Sequence, residues 1–220
     1  MNFFMPRRWL IDSNVIVHWV CSESVLPYLI EHFGLTSDFW AVYQKRHNES
    51  YMFISSLLKG ENKDEFYVAD FSLNEIFMGV RDEARAIKMF IDGIPLSRWP
   101  SRRETSQVRL SEDISKSIYE KVMEKFDDLF YGGKRIKLFQ TINPADEEGY
   151  FEIYSSLIFL YPELKTQDAL LLTNAVFLDA KFFVTTDSYL RKKIGRKTEE
   201  QYGLKIVKPG SARALLRYRL

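Results

Sequence analysis

The chain has 220 residues, a formal net charge of +1 and a single cysteine, Cys21. This length predicts one domain with additions. A lone cysteine excludes an internal disulfide framework and favours a reducing, cytoplasmic setting. Polar residues interrupt every apolar run before it is long enough to span a bilayer, so we expect no membrane association.

Short stretches rich in β-branched and aromatic residues predict five strands, at 9–12, 66–70, 136–142, 182–186 and 204–208. Between them, apolar residues at helical spacing predict helices over 14–33, 73–91, 145–160 and 167–180. Strands that alternate with helices favour an α/β fold, with three layers (α/β/α) around a mostly parallel central sheet.

Two stretches of the chain are not needed for a minimal α/β fold of this kind. We interpret 34–65 and 93–134 as insertions within one domain over 1–220, each helical for much of its length. In the second insertion, a charged amphipathic run begins at Ser111 and ends before Gly132 and Gly133.

Four acids occur in one recurring setting, at the end of a predicted strand or in the first turn of a predicted helix. They are Asp12, Glu75, Asp168 and Asp187. In an open parallel sheet these positions gather along one edge, where ligands bind. Clustered carboxylates repel one another unless a cation lies between them, and hard divalent cations prefer such oxygens. The pattern therefore predicts a metal site.

Each acid also has a structural explanation. Asp12 and Asp187 are suited to cap the helices that follow them. Ser72 and Glu75 have the spacing of a capping box, and Asp168 lies where a helix dipole favours an anion. Capping does not explain why all four acids fall at equivalent corners of the predicted fold, which favours the metal site.

Five passages carry these acids in a recognisable order. Residues 10–15 place Asp-Ser-Asn after the first strand, 68–75 place a Glu on the helix after the second, and 168–175 open a helix with Asp. Residues 184–187 end a strand in Thr-Thr-Asp, and 203–209 form a closing strand. Together they resemble the PIN domain, a family of metal-dependent nucleases, although the insertions make this chain larger than VapC-type toxins.

The resemblance implies an endoribonuclease that hydrolyses phosphodiester bonds in RNA, with one or two Mg²⁺ or Mn²⁺ ions held by the four acids as metal ligands and catalytic residues. Asp12 and Asp168 are the expected direct ligands. Glu75 is expected to bind the metal directly or through water, and Asp187 through water.

Three neighbours are expected to support the acids. Ser13 and Thr185 are placed to fix carboxylate rotamers, and Asn14 to orient Asp12 or to bind a phosphate. Turn formation, capping and β-propensity are the alternative explanations.

Basic residues are concentrated in 188–220, where ten Lys or Arg accompany two Glu. This segment has a charge of +8, which leaves −7 for the rest of a chain whose total is +1. Such a segment favours contact with a polyanion such as single-stranded RNA, through Arg191, Lys192 and Lys193. A solvated basic surface is the alternative.

Two further patterns in the sequence are weaker indications of function. Arg102 and Arg103 follow Trp99 as a single-strand-binding arm would, although a linker explains them as well. The histidines His18, His32 and His47 lack a credible ligand grouping, and His18 with Cys21 on one helix face is expected to serve packing.

Other functions remain open on sequence alone. A PIN-like scaffold or binding module would keep the fold without the chemistry, and a toxin would be held inactive by an antitoxin-like protein inhibitor. A small-molecule phosphatase would use the same metal site on a different substrate. The sequence also leaves open whether the chain forms a homodimer.

Overall fold

A computed structural model describes residues 6–60, 63–94, 108–132, 135–141 and 147–217. The elements in chain order are β1 (Arg8–Ile11), α1 (Ser13–Val20), a π-helical turn (Cys21–Val25), α2 (Leu26–Phe33), α3 (Ser37–Lys59), β2 (Glu65–Ala69), α4 (Ser72–Ile91), α5 (Glu112–Phe126), a second π-helical turn (Asp127–Gly132), β3 (Ile136–Phe139), α6 (Glu148–Leu160), α7 (Thr166–Phe177), β4 (Phe182–Val184), a third π-helical turn (Leu190–Ile194), α8 (Gly195–Tyr202), β5 (Lys205–Val207) and α9 (Pro209–Arg217).

The five strands form one parallel sheet in the order β3-β2-β1-β4-β5. In the centre, Leu10 pairs with Tyr67 on one side and with Phe183 on the other. The predicted α/β class and parallel sheet are therefore confirmed. The third strand is shorter than predicted, because it ends at Phe139 and not at residue 142.

Helices cover both faces of the sheet. Successive side chains of a strand point to opposite faces, and β1 buries both sets. Trp9 and Ile11 lie in a core with residues of α1, α3, α4, α5 and α9. Leu10 lies in a second core with residues of α7 and the turn before α8. The central strand is consequently shielded from water on both sides.

A buried carboxylate anchors the start of β1. Asp64 Oδ2 accepts hydrogen bonds from Arg7 Nη2 at 2.6 Å and from Trp9 Nε1 at 3.0 Å. The Asp64 side chain is 1% exposed, so removing the carboxylate would leave the buried Trp9 N–H unpaired and the partly buried Arg7 without its counter-ion. This contact fixes β1, and hence the residue that follows it, in the sheet.

Helices α1 and α4 approach closely at Gly79. A Cβ atom at this position would lie 2.7 Å from Val17 Cγ2, well inside van der Waals contact. Glycine thus permits the approach of the two helices. Because α4 also carries Glu75 one turn earlier, the contact sets the position of that acid relative to the start of α1.

The two predicted insertions contribute to the core. Helix α3 buries Phe53 and Ile54, and α5 buries Ile114 and Ile118. As the sequence predicts, α5 begins after Ser111, whose hydroxyl accepts a hydrogen bond from the Ile114 amide. In the described ranges, no helix combines the length and the apolar character needed to cross a bilayer.

Candidate functional site

The predicted site lies at the carboxyl ends of the two central strands. Asp12 follows β1 and Thr185 follows β4, and the Asp12 amide donates to the Val184 carbonyl at 2.9 Å. From β1 the chain proceeds to β2 on one side, whereas from β4 it proceeds to β5 on the other. Ligands of open α/β sheets bind at such a switch point.

Three side chains orient the Asp12 carboxylate, which belongs to a residue only 5% exposed. Asp12 Oδ2 accepts hydrogen bonds from Thr185 Oγ1 at 2.6 Å and from Asn14 Nδ2 at 2.7 Å. Asp12 Oδ1 accepts one from Ser13 Oγ at 3.2 Å. Asp12 is the N-cap residue of α1, but within the described residues its side chain makes no capping hydrogen bond. The capping explanation therefore fails for this acid.

The same side chains join the two strand ends. Asn14 Oδ1 accepts a hydrogen bond from the Thr186 amide at 3.3 Å. Thr185 Oγ1, which donates to Asp12, accepts from the Asp187 amide at 2.9 Å. The ends of β1 and β4 are thus held together by polar contacts on both sides of Asp12.

The surroundings of the Asp12 carboxyl oppose its ionisation. Its pKa is raised from 3.8 to about 6, and burial is the largest cause. The hydrogen bonds from Thr185 and Ser13 oppose this shift, and the negative charges of Glu75 and Asp168 add to it. Asp12 is therefore charged at neutral pH at a cost in stability.

Asp168 belongs to the same electrostatic group. It lies in the first turn of α7, and burial raises its pKa. The positive charge of Lys165 opposes that shift, whereas Asp187 and Glu75 reinforce it. The charges of Glu75, Asp168 and Asp187 therefore each raise the pKa of at least one other acid of the group.

The capping expectations for Glu75 and Asp187 have opposite outcomes. Helix α4 begins at Ser72 with Phe71 as its N-cap, and the buried Ser72 hydroxyl has no hydrogen-bond partner among the described residues. The predicted capping box is therefore wrong. Asp187 does cap a helical turn, because its Oδ1 accepts from the Tyr189 amide at 2.6 Å.

The four acids do not form a tight cluster in this structure. Among the described residues, the group of three potential ligand atoms that all lie within 4.8 Å of one another comes from His18, His47 and Glu83. The expectation that these histidines lack a ligand grouping is wrong. They lie 29 residues apart in sequence and on different helices, so their spacing gave no signal.

A polar network that the sequence did not indicate holds α7 in place. Asp70, directly after β2, accepts hydrogen bonds from the Thr141 amide at 3.2 Å and the Thr141 hydroxyl at 2.8 Å. Buried Asn174 donates to Thr141 Oγ1 at 3.1 Å and accepts from the Tyr150 hydroxyl at 2.6 Å. Because Asn174 lies on the helix that carries Asp168, the network positions that acid. The sequence signal that could have pointed to this network is Asp70, an acid directly after a strand.

Basic side chains follow Asp187 on the third π-helical turn. Arg191 Nε donates to the backbone carbonyl of Asp187 at 3.1 Å, and Lys192 and Lys193 are exposed on the same turn. Arg102 and Arg103, the other predicted nucleic-acid contacts, lie outside the described residues.

Part of the basic segment is already paired. The ion pairs are Arg196 with Glu200 at 2.8 Å, Lys205 with Glu199 at 2.9 Å and Lys208 with Glu49 at 2.7 Å. The formal charge of 188–220 therefore overstates what is available to a polyanion.

Comparisons with known proteins identify no relative. No family model, no curated protein and no solved structure matches the chain significantly. The function is consequently inferred from the geometry and the charges of the site.

Proposed function

We propose that this chain is a divalent-metal-dependent nuclease with a PIN-like fold that hydrolyses phosphodiester bonds in RNA. Its site would comprise Asp12, Glu75, Asp168 and Asp187. The observation that supports this proposal is the buried Asp12 carboxylate at the switch point, whose pKa is raised by burial and by the charges of two other acids. Such repulsion is what a bound cation relieves.

The chemistry of the donors fits Mg²⁺ or Mn²⁺. All four candidate ligands are carboxylates, which hard cations select over the nitrogen and sulfur ligands that softer ions prefer. The acids are spaced too widely for three of them to meet at one point. Mg²⁺ tolerates this spacing, because it keeps several of its waters and needs only one or two direct carboxylate ligands.

Asp12 and Asp168 are the side chains best placed to hold such an ion, since each is at least partly buried and repelled by neighbouring acids. When bound, the ion would lower the pKa of an attacking water and stabilise negative charge on the phosphate. Thr185, Asn14 and Ser13 fix the Asp12 carboxylate through three hydrogen bonds. Because the Asp12 side chain is already fixed, it would lose little rotamer freedom when substrate binds.

The substrate would approach over the third π-helical turn. The exposed Lys192 and Lys193 and the partly buried Arg191 supply positive charge beside Asp187. Such side chains contact phosphates and not bases, so they would position the backbone without selecting a sequence. An acidic edge flanked by basic side chains suits a phosphodiester polymer better than a small phosphomonoester.

The test is a cleavage assay on a labelled single-stranded RNA, with DNA of the same sequence and a chromogenic phosphomonoester in parallel. We expect RNA cleavage with Mn²⁺ or Mg²⁺, loss of cleavage with EDTA, and at least a roughly hundredfold loss in Asp12→Asn and Asp168→Asn. The matched control is Asp113→Asn, an exposed acid in the first turn of α5.

Three results would count against the proposal. Activity of Asp12→Asn equal to that of the wild type would exclude the acidic edge as the catalytic site. Hydrolysis of the phosphomonoester without RNA cleavage would favour a phosphatase. Saturable RNA binding without cleavage under any divalent metal would favour the scaffold.

A further inference from the structure

A second group of ligand atoms lies between three helices and shares no residue with the acidic edge. His18 of α1, His47 of α3 and Glu83 of α4 each offer one such atom, and the three atoms lie within 4.8 Å of one another. Two imidazole nitrogens and one carboxylate oxygen are a ligand set that proteins use for zinc.

His47 is the least satisfied member of this group. The residue is completely buried, and neither of its ring nitrogens has a hydrogen-bond partner among the described residues. Its nearest carboxylate oxygen is Glu83 Oε2, 3.9 Å from Nε2, which is beyond hydrogen-bond distance. Buried polar atoms are nearly always paired, so a vacant lone pair here indicates a missing partner.

The other two ligands are held by neighbours. His18 Nδ1 has Ser50 Oγ at 3.3 Å, and the Tyr43 hydroxyl donates to Glu83 Oε2. Metal-binding side chains commonly have such outer contacts, which fix the orientation of the ring or carboxylate.

Burial also sets the protonation states of this group. Burial lowers the pKa of His18 to about 4 and that of His47 to about 2, so both rings are neutral, as metal binding requires. Burial raises the pKa of Glu83 to about 7. Arg46 Nη2 approaches Glu83 Oε1 at 3.6 Å, but its side chain is 54% exposed. It therefore has room to withdraw into solvent when an ion enters.

We propose that His18, His47 and Glu83 bind one divalent transition-metal ion of the Zn²⁺ type, which locks α1, α3 and α4 together. Imidazole ligands select Zn²⁺ or Co²⁺ over Mg²⁺. Three protein ligands leave a fourth position for water. The alternative is that the stacked rings of His18 and His47, 4.1 Å apart, serve packing alone.

The test uses the metal-stripped full chain in excess Mg²⁺, which competes for carboxylate-only sites. Zn²⁺ and Co²⁺ are then titrated, with metal content measured after gel filtration. We expect about one equivalent of Zn²⁺ per chain, and X-ray absorption that shows two imidazoles with Zn–N distances of about 2.0–2.1 Å. Zinc surrounded by oxygen ligands only, or no retained zinc, would overturn the proposal.

Variants give an independent measurement. His47→Gln and Glu83→Gln should each weaken Co²⁺ binding at least about tenfold. The matched control His32→Gln, an exposed histidine on α2, should bind as the wild type does. Unchanged Co²⁺ affinity in a folded His47→Gln protein would refute the site. Because the absorption experiment uses only the wild type, a variant that fails to fold does not remove the test.

Discussion

Replacement of Asp12 by Asn should stabilise the metal-free protein at neutral pH while abolishing its response to divalent metal. The folded-state pKa of Asp12 is raised from 3.8 to about 6. The folded protein therefore holds this proton more tightly than the unfolded chain does. The contribution of Asp12 to the free energy of unfolding therefore falls as the pH rises from about 4 through 6. Above this window, ionised Asp12 lowers the free energy of unfolding by the full amount.

The magnitude follows from the shift. A difference of about two pKa units corresponds to about 3 kcal/mol of unfolding free energy above pH 7. At about pH 4.5 the same linkage gives a penalty of only about 1 kcal/mol. The amide cannot ionise, so the variant should gain about 2 kcal/mol relative to the wild type between these two conditions. Any pH-independent effect of the altered hydrogen bonds cancels in this comparison.

The assay is urea denaturation in EDTA at both pH values, repeated with Mn²⁺. The matched control is Asp113→Asn, which removes an exposed carboxylate of α5 outside the group of four acids. With Mn²⁺ at about 100 times its dissociation constant, the wild type should gain about 2.7 kcal/mol and the Asp12→Asn protein much less. A stability difference from the wild type that is equal at both pH values would refute the argument that Asp12 is ionised against burial and repulsion.

Three further predictions concern the scaffold of the site and can be checked by urea denaturation. Gly79→Ala should destabilise by about 1–3 kcal/mol through overpacking, because its Cβ meets a valine side chain at 2.7 Å; Gly149→Ala, with nothing within 4 Å, should not destabilise. Asp64→Asn should cost about 3 kcal/mol, because it disrupts a buried ion pair, whereas Glu200→Gln in an exposed pair should cost less than about 0.5 kcal/mol. Tyr150→Phe should cost about 1 kcal/mol and lower any RNA cleavage without changing metal stoichiometry, because it loosens the network behind α7. Equal stability of the Gly79 or Asp64 variant and its control, or a Tyr150→Phe protein as stable as the wild type, would contradict these assignments.

Local patterns determined the elements of this fold. Short stretches rich in β-branched and aromatic residues placed β1 and β2 within one residue of their ends, and the serine before the amphipathic run marked the start of α5. Both signals act over a few residues, since strand propensity and N-capping depend on the chain nearby. Position after a strand likewise singled out Asp12 as a candidate site residue.

The tertiary structure decided which side chains meet. Thr185 orients Asp12 across 173 positions of sequence, and Asn174 reaches the strand ends only because α7 packs against them. His47 meets His18 because two helices cross at that point. Sequence periodicity fixes the face of a helix that is buried, but not the side chain that lies opposite it. The packing of sequence-distant helices supplies that partner, and with it the choice between a buried histidine and a metal ligand.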